Sequence, residues 1–270
     1  MSHESEPEPR IAALIAERAR AAGLAVEARA IGAATLLICD ALPGDIGFNR
    51  AFEVDAREPD VVAGIVEHAR RTGRRPTLEI DLDSLGDAER GQLAALGLAK
   101  LWGLVALRLD LASSPPERPS GVTVRAVRED EADAFGVLAV RAYGAPPAGF
   151  PPIDEAADAR KWATFVRLGR ARCFFAEIDG VPCAIGMSLR VGPVALVDGA
   201  ATLAEHRGRG CQGALLAHRF REARAGAARV AVTRTATAPS QRNLERAGMA
   251  VYRRMEVWGG AVGGTPAATS

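Results

Sequence analysis

The chain has 270 residues and a formal net charge of +1, so no global field draws it to nucleic acid or to an anionic membrane. Hydrophobic residues make up 48%, enough to fill one large core or two of ordinary size. Cys39, Cys173, Cys183 and Cys211 form no CxxC pair, and His3, His68, His206 and His218 show no ligand spacing, which argues against a metal site or a disulfide framework. No apolar run approaches the ~18 residues of a membrane span. The acidic start Met-Ser-His-Glu-Ser-Glu-Pro-Glu-Pro is unlike a secretory signal, so the expected location is cytoplasmic, with no membrane contact.

In chain order, residues 1–9 read as a disordered tail and 10–22 as a helix stopping near Gly23. Strands are expected at 35–39 and 48–54, around a turn at Pro43-Gly44. A helix at 60–71, a strand at 77–82, a helix at 87–96 and a strand at 101–111 follow. The stretch Ser113-Ser114-Pro115-Pro116-Glu117-Arg118-Pro119-Ser120-Gly121 cannot form regular structure. It places a linker at 113–120 between a domain at 1–112 and one at 121–258. In the second half, a strand at 122–127 leads to helices at 129–141 and 154–168, separated by a proline-rich loop at 144–152. Strands at 172–178 and 182–190 form a hairpin through Asp179-Gly180. A strand at 193–203, a helix at 211–225, a strand at 229–235, a short helix at 240–246 and a strand at 249–258 complete the pattern, and 259–270 reads as a tail. The order predicts an α/β class with a mixed sheet (α+β). Gln92-Leu93-Ala94-Ala95-Leu96-Gly97-Leu98 and Asn243-Leu244-Glu245-Arg246-Ala247-Gly248-Met249 each precede a strand, a weak internal echo.

The most informative segment is Arg207-Gly208-Arg209-Gly210-Cys211-Gln212-Gly213, between an apolar strand and a helix. A helix start exposes backbone N–H groups with no internal partner, and the helix dipole adds positive potential. Glycines let the backbone curl close to an anion, and Arg207 and Arg209 add charge, so the segment suits a pyrophosphate. It is neither a Walker loop nor a GxGxxG dinucleotide fingerprint. The alternative is an ordinary helix entry with exposed arginines.

These residues resemble the GCN5-related N-acetyltransferases, whose loop pattern is Arg/Gln-x-x-Gly-x-Gly/Ala. Arg207 and Gly210 fit, while Gln212 stands at the third place with Gly213 beside it. Ser240-Gln241-Arg242-Asn243-Leu244-Glu245-Arg246-Ala247-Gly248-Met249 is similar to the family's later motif. The likeness covers roughly 121–258, and the first half resembles a degenerate copy. There, Arg57-Glu58-Pro59-Asp60-Val61 replaces the glycine loop, and no CoA binding is expected. The resemblance implies a tandem acyl-CoA N-acyltransferase fold that takes acetyl-CoA as acyl donor, without metal. The acceptor would be a small-molecule or protein amine. It implies that Ala201, Thr202 and Leu203 pair with the pantetheine arm. Arg207, Gly208, Arg209, Gly210, Cys211, Gln212, Gly213 and Ala214 would hold the phosphates.

Acyl transfer needs a base, polarisation of the thioester carbonyl and a proton for the thiolate. Asp198 is the candidate base; the competing assignment is a strand irregularity at Asp198-Gly199. The family's usual tyrosine acid falls on Leu244, leaving Tyr252 and Tyr143, each of which has a packing role as its alternative. Cys211 stands at a helix start, where a thiolate is stabilised, but an inward packing role competes and direct transfer from CoA is expected. Asn243 is a helix cap or a cofactor contact. A monomer or homodimer is expected. The competing functional class is an acyl-CoA sensor or scaffold without turnover; a nucleic-acid binder lacks an aromatic platform.

Overall fold

The computed structural model describes residues 10–112, 121–145 and 154–261. The first half runs α1 (Ile11–Ala21), β1 (Glu27–Ile31), β2 (Ala34–Ile38), β3 (Arg50–Val54), α2 (Pro59–Arg71), β4 (Thr77–Asp81), α3 (Asp87–Ala95) and β5 (Ala99–Asp110). The second runs β6 (Thr123–Ala126), α4 (Ala132–Tyr143), α5 (Glu155–Leu168), β7 (Arg172–Ile178), β8 (Val181–Val191), β9 (Val194–Leu196), β10 (Ala201–Thr202), α6 (Cys211–Ala225), β11 (Val230–Thr235), α7 (Ala238–Arg246) and β12 (Ala250–Gly259). The tail at 1–9, the linker at 113–120, the loop residues 146–153 and the tail from 262 lie outside the described residues. No helix among the described residues is long and apolar enough to cross a membrane.

Local chemistry explains most of these boundaries. Pro59 opens α2, where its missing N–H costs nothing. Asp154 caps α5 by accepting the Ala157 N–H at 3.0 Å, and Gly169 ends it at φ +62°. Asp179 and Gly180 both adopt positive φ, as the tight turn between β7 and β8 requires. The strand β1 was not expected: Glu-Ala-Arg-Ala-Ile is largely exposed along its length and carries no core-facing alternation. Gly259, assigned to the tail by sequence, ends β12 opposite Thr77 and Ala99.

All the strands join one sheet, in the order β1-β2-β3-β4-β12-β5-β11-β9-β8-β7-β6, with β10 on β8. Its centre is an exchange. The last strand of the first half, β5, pairs with β11 of the second, and the last strand of the second, β12, pairs with β4 of the first. The two exchanged strands lie antiparallel against each other. Each follows a helix through a left-handed glycine, Gly97 (φ +73°) or Gly248 (φ +89°). Each turn is closed by the same bond, Leu98 N–H to Leu93 O at 3.0 Å and Met249 N–H to Leu244 O at 3.1 Å. The sequence echo is therefore a repeated helix-glycine-strand unit.

Helices cover both faces. On one face, α1 buries Ile11, Ile15 and Ala19 against Leu37, Phe52, Ala106 and Met255, beside α4 and α5 on the second half. On the other, α2 and α3 pack on the first half, and α6 and α7 on the second. The α4–α5 contact depends on Gly136, where an added Cβ would lie 2.2 Å from the Ala159 carbonyl oxygen. Gly136→Ala must push the helices apart, and chemical denaturation should show a loss of about 1–3 kcal/mol.

Candidate functional site

The site begins where two parallel strands part. β9 pairs with β11 from Val194–Val230 to Leu196–Val232, and the Val197 N–H reaches Val232 O at 2.9 Å. The chain then breaks at residues 198–200, with Gly199 at φ +62° under the Trp162 ring. It resumes as β10, which pairs only with β8, while the end of β11 pairs only with β5. The single strand expected at 193–203 is thus two strands with an irregularity at Asp198-Gly199. A V-shaped opening is left between β10 and β11 at their carboxyl ends, a usual ligand position in open sheets.

Arg219 holds this break. The residue is 1% exposed and reaches from α6 across Gly186. Its guanidinium donates to Met187 O at 3.0 Å, Asp198 O at 3.3 Å and Leu215 O at 3.2 Å. Burial pushes its pKa down to about 10, partly offset by the Asp198 charge, so it remains a cation at neutral pH. A side chain at Gly186 would crowd Leu215 and Arg219. Sequence reasoning missed Arg219, because α6 carries several arginines and only tertiary packing selects the one that turns inward.

Beyond β10, a helical turn at Ala204–His206 leads to Gly208 (φ +77°) and Gly210 (φ +87°), and α6 starts. None of the backbone N–H groups of residues 208–213 donates to a carbonyl of the described residues; the first to do so is Ala214, to Gly210 O at 3.0 Å. A run of free donors therefore faces outward at the positive end of α6. Arg207 is anchored by its Nε to Thr202 O at 3.3 Å, and Gln212 by its Nε2 to Thr202 Oγ1 at 3.0 Å. Arg209 stands beside the His206 ring at 3.2 Å. Gln212, the residue that departs from the motif, thus clamps the loop to β10. Ala214 is buried with its N–H committed, so it offers no donor. Cys211 points inward, its Sγ 3.5 Å from that of Cys183.

Asp198 lies beside the opening. Its Oδ1 accepts the Gly199 N–H at 2.8 Å, and its Oδ2 is 3.4 Å from Arg18 of α1. Burial pushes its pKa up, but Arg18, Arg234, the Gly199 N–H and Arg219 together hold it below the usual carboxylate value, so it is ionised at neutral pH. Tyr143 stacks on Trp162 with centroids 5.5 Å apart, and the charges facing its hydroxyl are Asp198, Arg18, Arg219 and Asp158. Tyr143 faces the Asp198 charge, while Tyr252 packs on the same side of the sheet against the core beneath α1, α4 and α5. Tyr252 occupies a bulge of β12 between Val251 and Arg253. It lines a separate cavity of about 490 Å³ with Glu53, Asp55, Asp81 and Asp83. That cavity lies at the end of the other parallel pair, β3 and β4, where the turn into α2 has carboxylates and a proline in place of glycine N–H groups. Asn243 does not cap α7: Thr237 accepts the Ser240 N–H there, and Asn243 sits half-buried in the last turns. Leu244 is buried in the core.

The whole architecture recurs in solved structures. A GCN5-related N-acetyltransferase from Kribbella flavida is similar with a TM-score of 0.65 and 20% identity, over 93% of this chain and 96% of that one. The chain has the GCN5-related N-acetyltransferase fold. A GCN5-related N-acetyltransferase from Sphaerobacter thermophilus is similar at 0.59 and 16%, over 88% and 83% of the two chains. A tandem protein of this fold from the clavulanic acid biosynthesis pathway gives 0.55 and 19%, over 88% and 81%. No family model matches the sequence, and no curated protein matches it. In this GCN5-related N-acetyltransferase fold, the open strand pair with a glycine turn belongs to the second half alone.

Proposed function

We propose that the protein is an acetyl-CoA-dependent N-acyltransferase that transfers the acyl group directly to an amine of a small molecule or protein. The observation that carries this reading is the run of uncommitted N–H groups at 208–213, placed at the mouth of the β10–β11 opening. Those donors and Arg207 suit the pyrophosphate of CoA. On β10 the Leu203 N–H is spent on Cys183 O of β8, so the Thr202 peptide, on the edge that faces away from β8, is the group that suits an amide of the pantetheine arm. The thioester would then lie at the strand break, beside Asp198.

At that point an amine attacks the thioester carbonyl, the C–S bond breaks, and the thiolate takes a proton. Asp198, ionised at neutral pH, accepts the amine proton directly or through water. Tyr143 is the tyrosine that faces the same charges and is the better candidate donor to the thiolate. The second reading, a CoA-binding sensor, is favoured by one observation: the motif position that holds a tyrosine acid in the family is a buried leucine here, Leu244.

Calorimetry with acetyl-CoA tests the first step. Arg207→Glu should weaken binding by at least about tenfold, near 1.4 kcal/mol. Unchanged binding would remove the phosphate assignment. Sustained thiol release with a broad amine panel would exclude the sensor reading.

A further inference from the structure

We infer that Arg18, on the first helix of the half that lacks a phosphate loop, is a positioning residue of the acyl-transfer site, holding the Asp198 carboxylate at the strand break. The inference rests on the acyltransferase reading and makes the first half part of the working site.

The placement of α1 is the reason. It packs on β2 and β3 of its own half and also against β8 and α5 of the second. Arg18 is thereby carried across the seam. Its guanidinium lies over Phe48 of the first half at 5.8 Å and Trp162 of the second at 6.0 Å, with Nη1 3.4 Å from Asp198 Oδ2. The two side chains are about equally shielded, at 20% and 22% exposed. The aromatic rings fix the cation, and the Gly199 N–H fixes the other carboxylate oxygen, so the pair has a defined direction.

The other groups facing Asp198 do different work. Arg234 of β11 donates to Glu79 at 2.7 Å, Arg219 of α6 is committed to three carbonyls, and Tyr143 of α4 is neutral. Arg18 is the charged group within ion-pair distance of the carboxylate. It is also the largest influence opposing the burial that pushes the Asp198 pKa up. Without Arg18 the burial is less opposed, so the pKa must rise. A base works when ionised, so the acid limb of the rate profile must move to higher pH.

The experiment uses the full chain with Arg18→Met, which keeps the apolar stem, and Arg18→Lys, which keeps the charge. Two readouts are taken. One is the carboxyl ¹³C titration of Asp198, assigned by its loss in Asp198→Asn. The other is the pH profile of kcat/KM for acetyl transfer. Arg18→Met is expected to raise both midpoints by about one unit, a tenfold rate loss below the limb. Acetyl-CoA affinity should stay within about twofold of wild type. Arg18→Lys should return both midpoints most of the way. A lowered melting temperature with neither midpoint moved would overturn the inference and reduce the pair to a structural tie. A moved titration with an unmoved rate limb would also overturn it. If wild-type protein binds no acetyl-CoA, the acyltransferase reading itself fails, and this inference with it.

Discussion

Gly210→Val is expected to weaken acetyl-CoA binding by about a hundredfold, near 2.8 kcal/mol, with the fold retained. Gly210 has φ +87° as the residue before α6, a region that a β-branched residue enters only with strain. Valine would relax toward negative φ and rotate the peptide that leads into the helix. The N–H groups of residues 211–213 would then no longer converge with those of residues 208–210. The loop is at the surface and the first helical bond belongs to Ala214, so the helix should re-form one residue later. Calorimetry measures the affinity, and far-ultraviolet circular dichroism checks the fold. An affinity within threefold of wild type would mean that this turn is not the phosphate site.

A second large effect is expected at Glu79. This carboxylate is 2% exposed on β4, and its Oε2 accepts from Arg50 of β3 at 2.9 Å and from Arg234 of β11 at 2.7 Å. The contact to Arg234 passes over both exchanged strands, since β12 and β5 lie between β4 and β11. Arg50 also lies over Phe52 and Trp102, and burial pushes its pKa down, opposed chiefly by Glu79. Glu79→Ala would leave two cations facing each other under α1 without the carboxylate that accepts from both. The expected loss is about 3–5 kcal/mol in urea unfolding, as for other buried pairs broken from one side. The exposed pair Arg128–Asp130, at 64% and 74%, is the control. Asp130→Ala should change stability by less than about 0.5 kcal/mol. Equal effects at the two sites would show that the Glu79 network is not a keystone of the sheet centre.

The glycine turn that opens α6 was legible because its signal is local: glycines and arginines between an apolar strand and a helix. The strand break at Asp198 was legible as one of two options, since a charged residue followed by glycine interrupts an apolar run. Other features depend on partners far along the chain. The exchange of β5 and β12 could not be read, because both strands follow the same helix-glycine lead-in and either would satisfy the pattern on either edge. Arg18 and Arg219 look like ordinary arginines on helices that carry several. Only the seam between the halves and the gap above Gly186 draw them inward. The residue type left Asn243 open between a cap and a cofactor contact; the cap falls to Thr237, which stands where the helix begins.

The exchanged strands also bear on how the protein comes to be made. Until β12 leaves the ribosome, β4 has no partner on one side, and β5 lacks both β11 and β12. At ~5–20 residues per second, the stretch from Asp110 to Gly259 takes on the order of ten seconds to synthesise. During that time the nascent first half presents an open edge of the kind that recruits stray strands. The sheet is therefore completed only once β12 has emerged, and the exposed intermediate is the species a chaperone would meet.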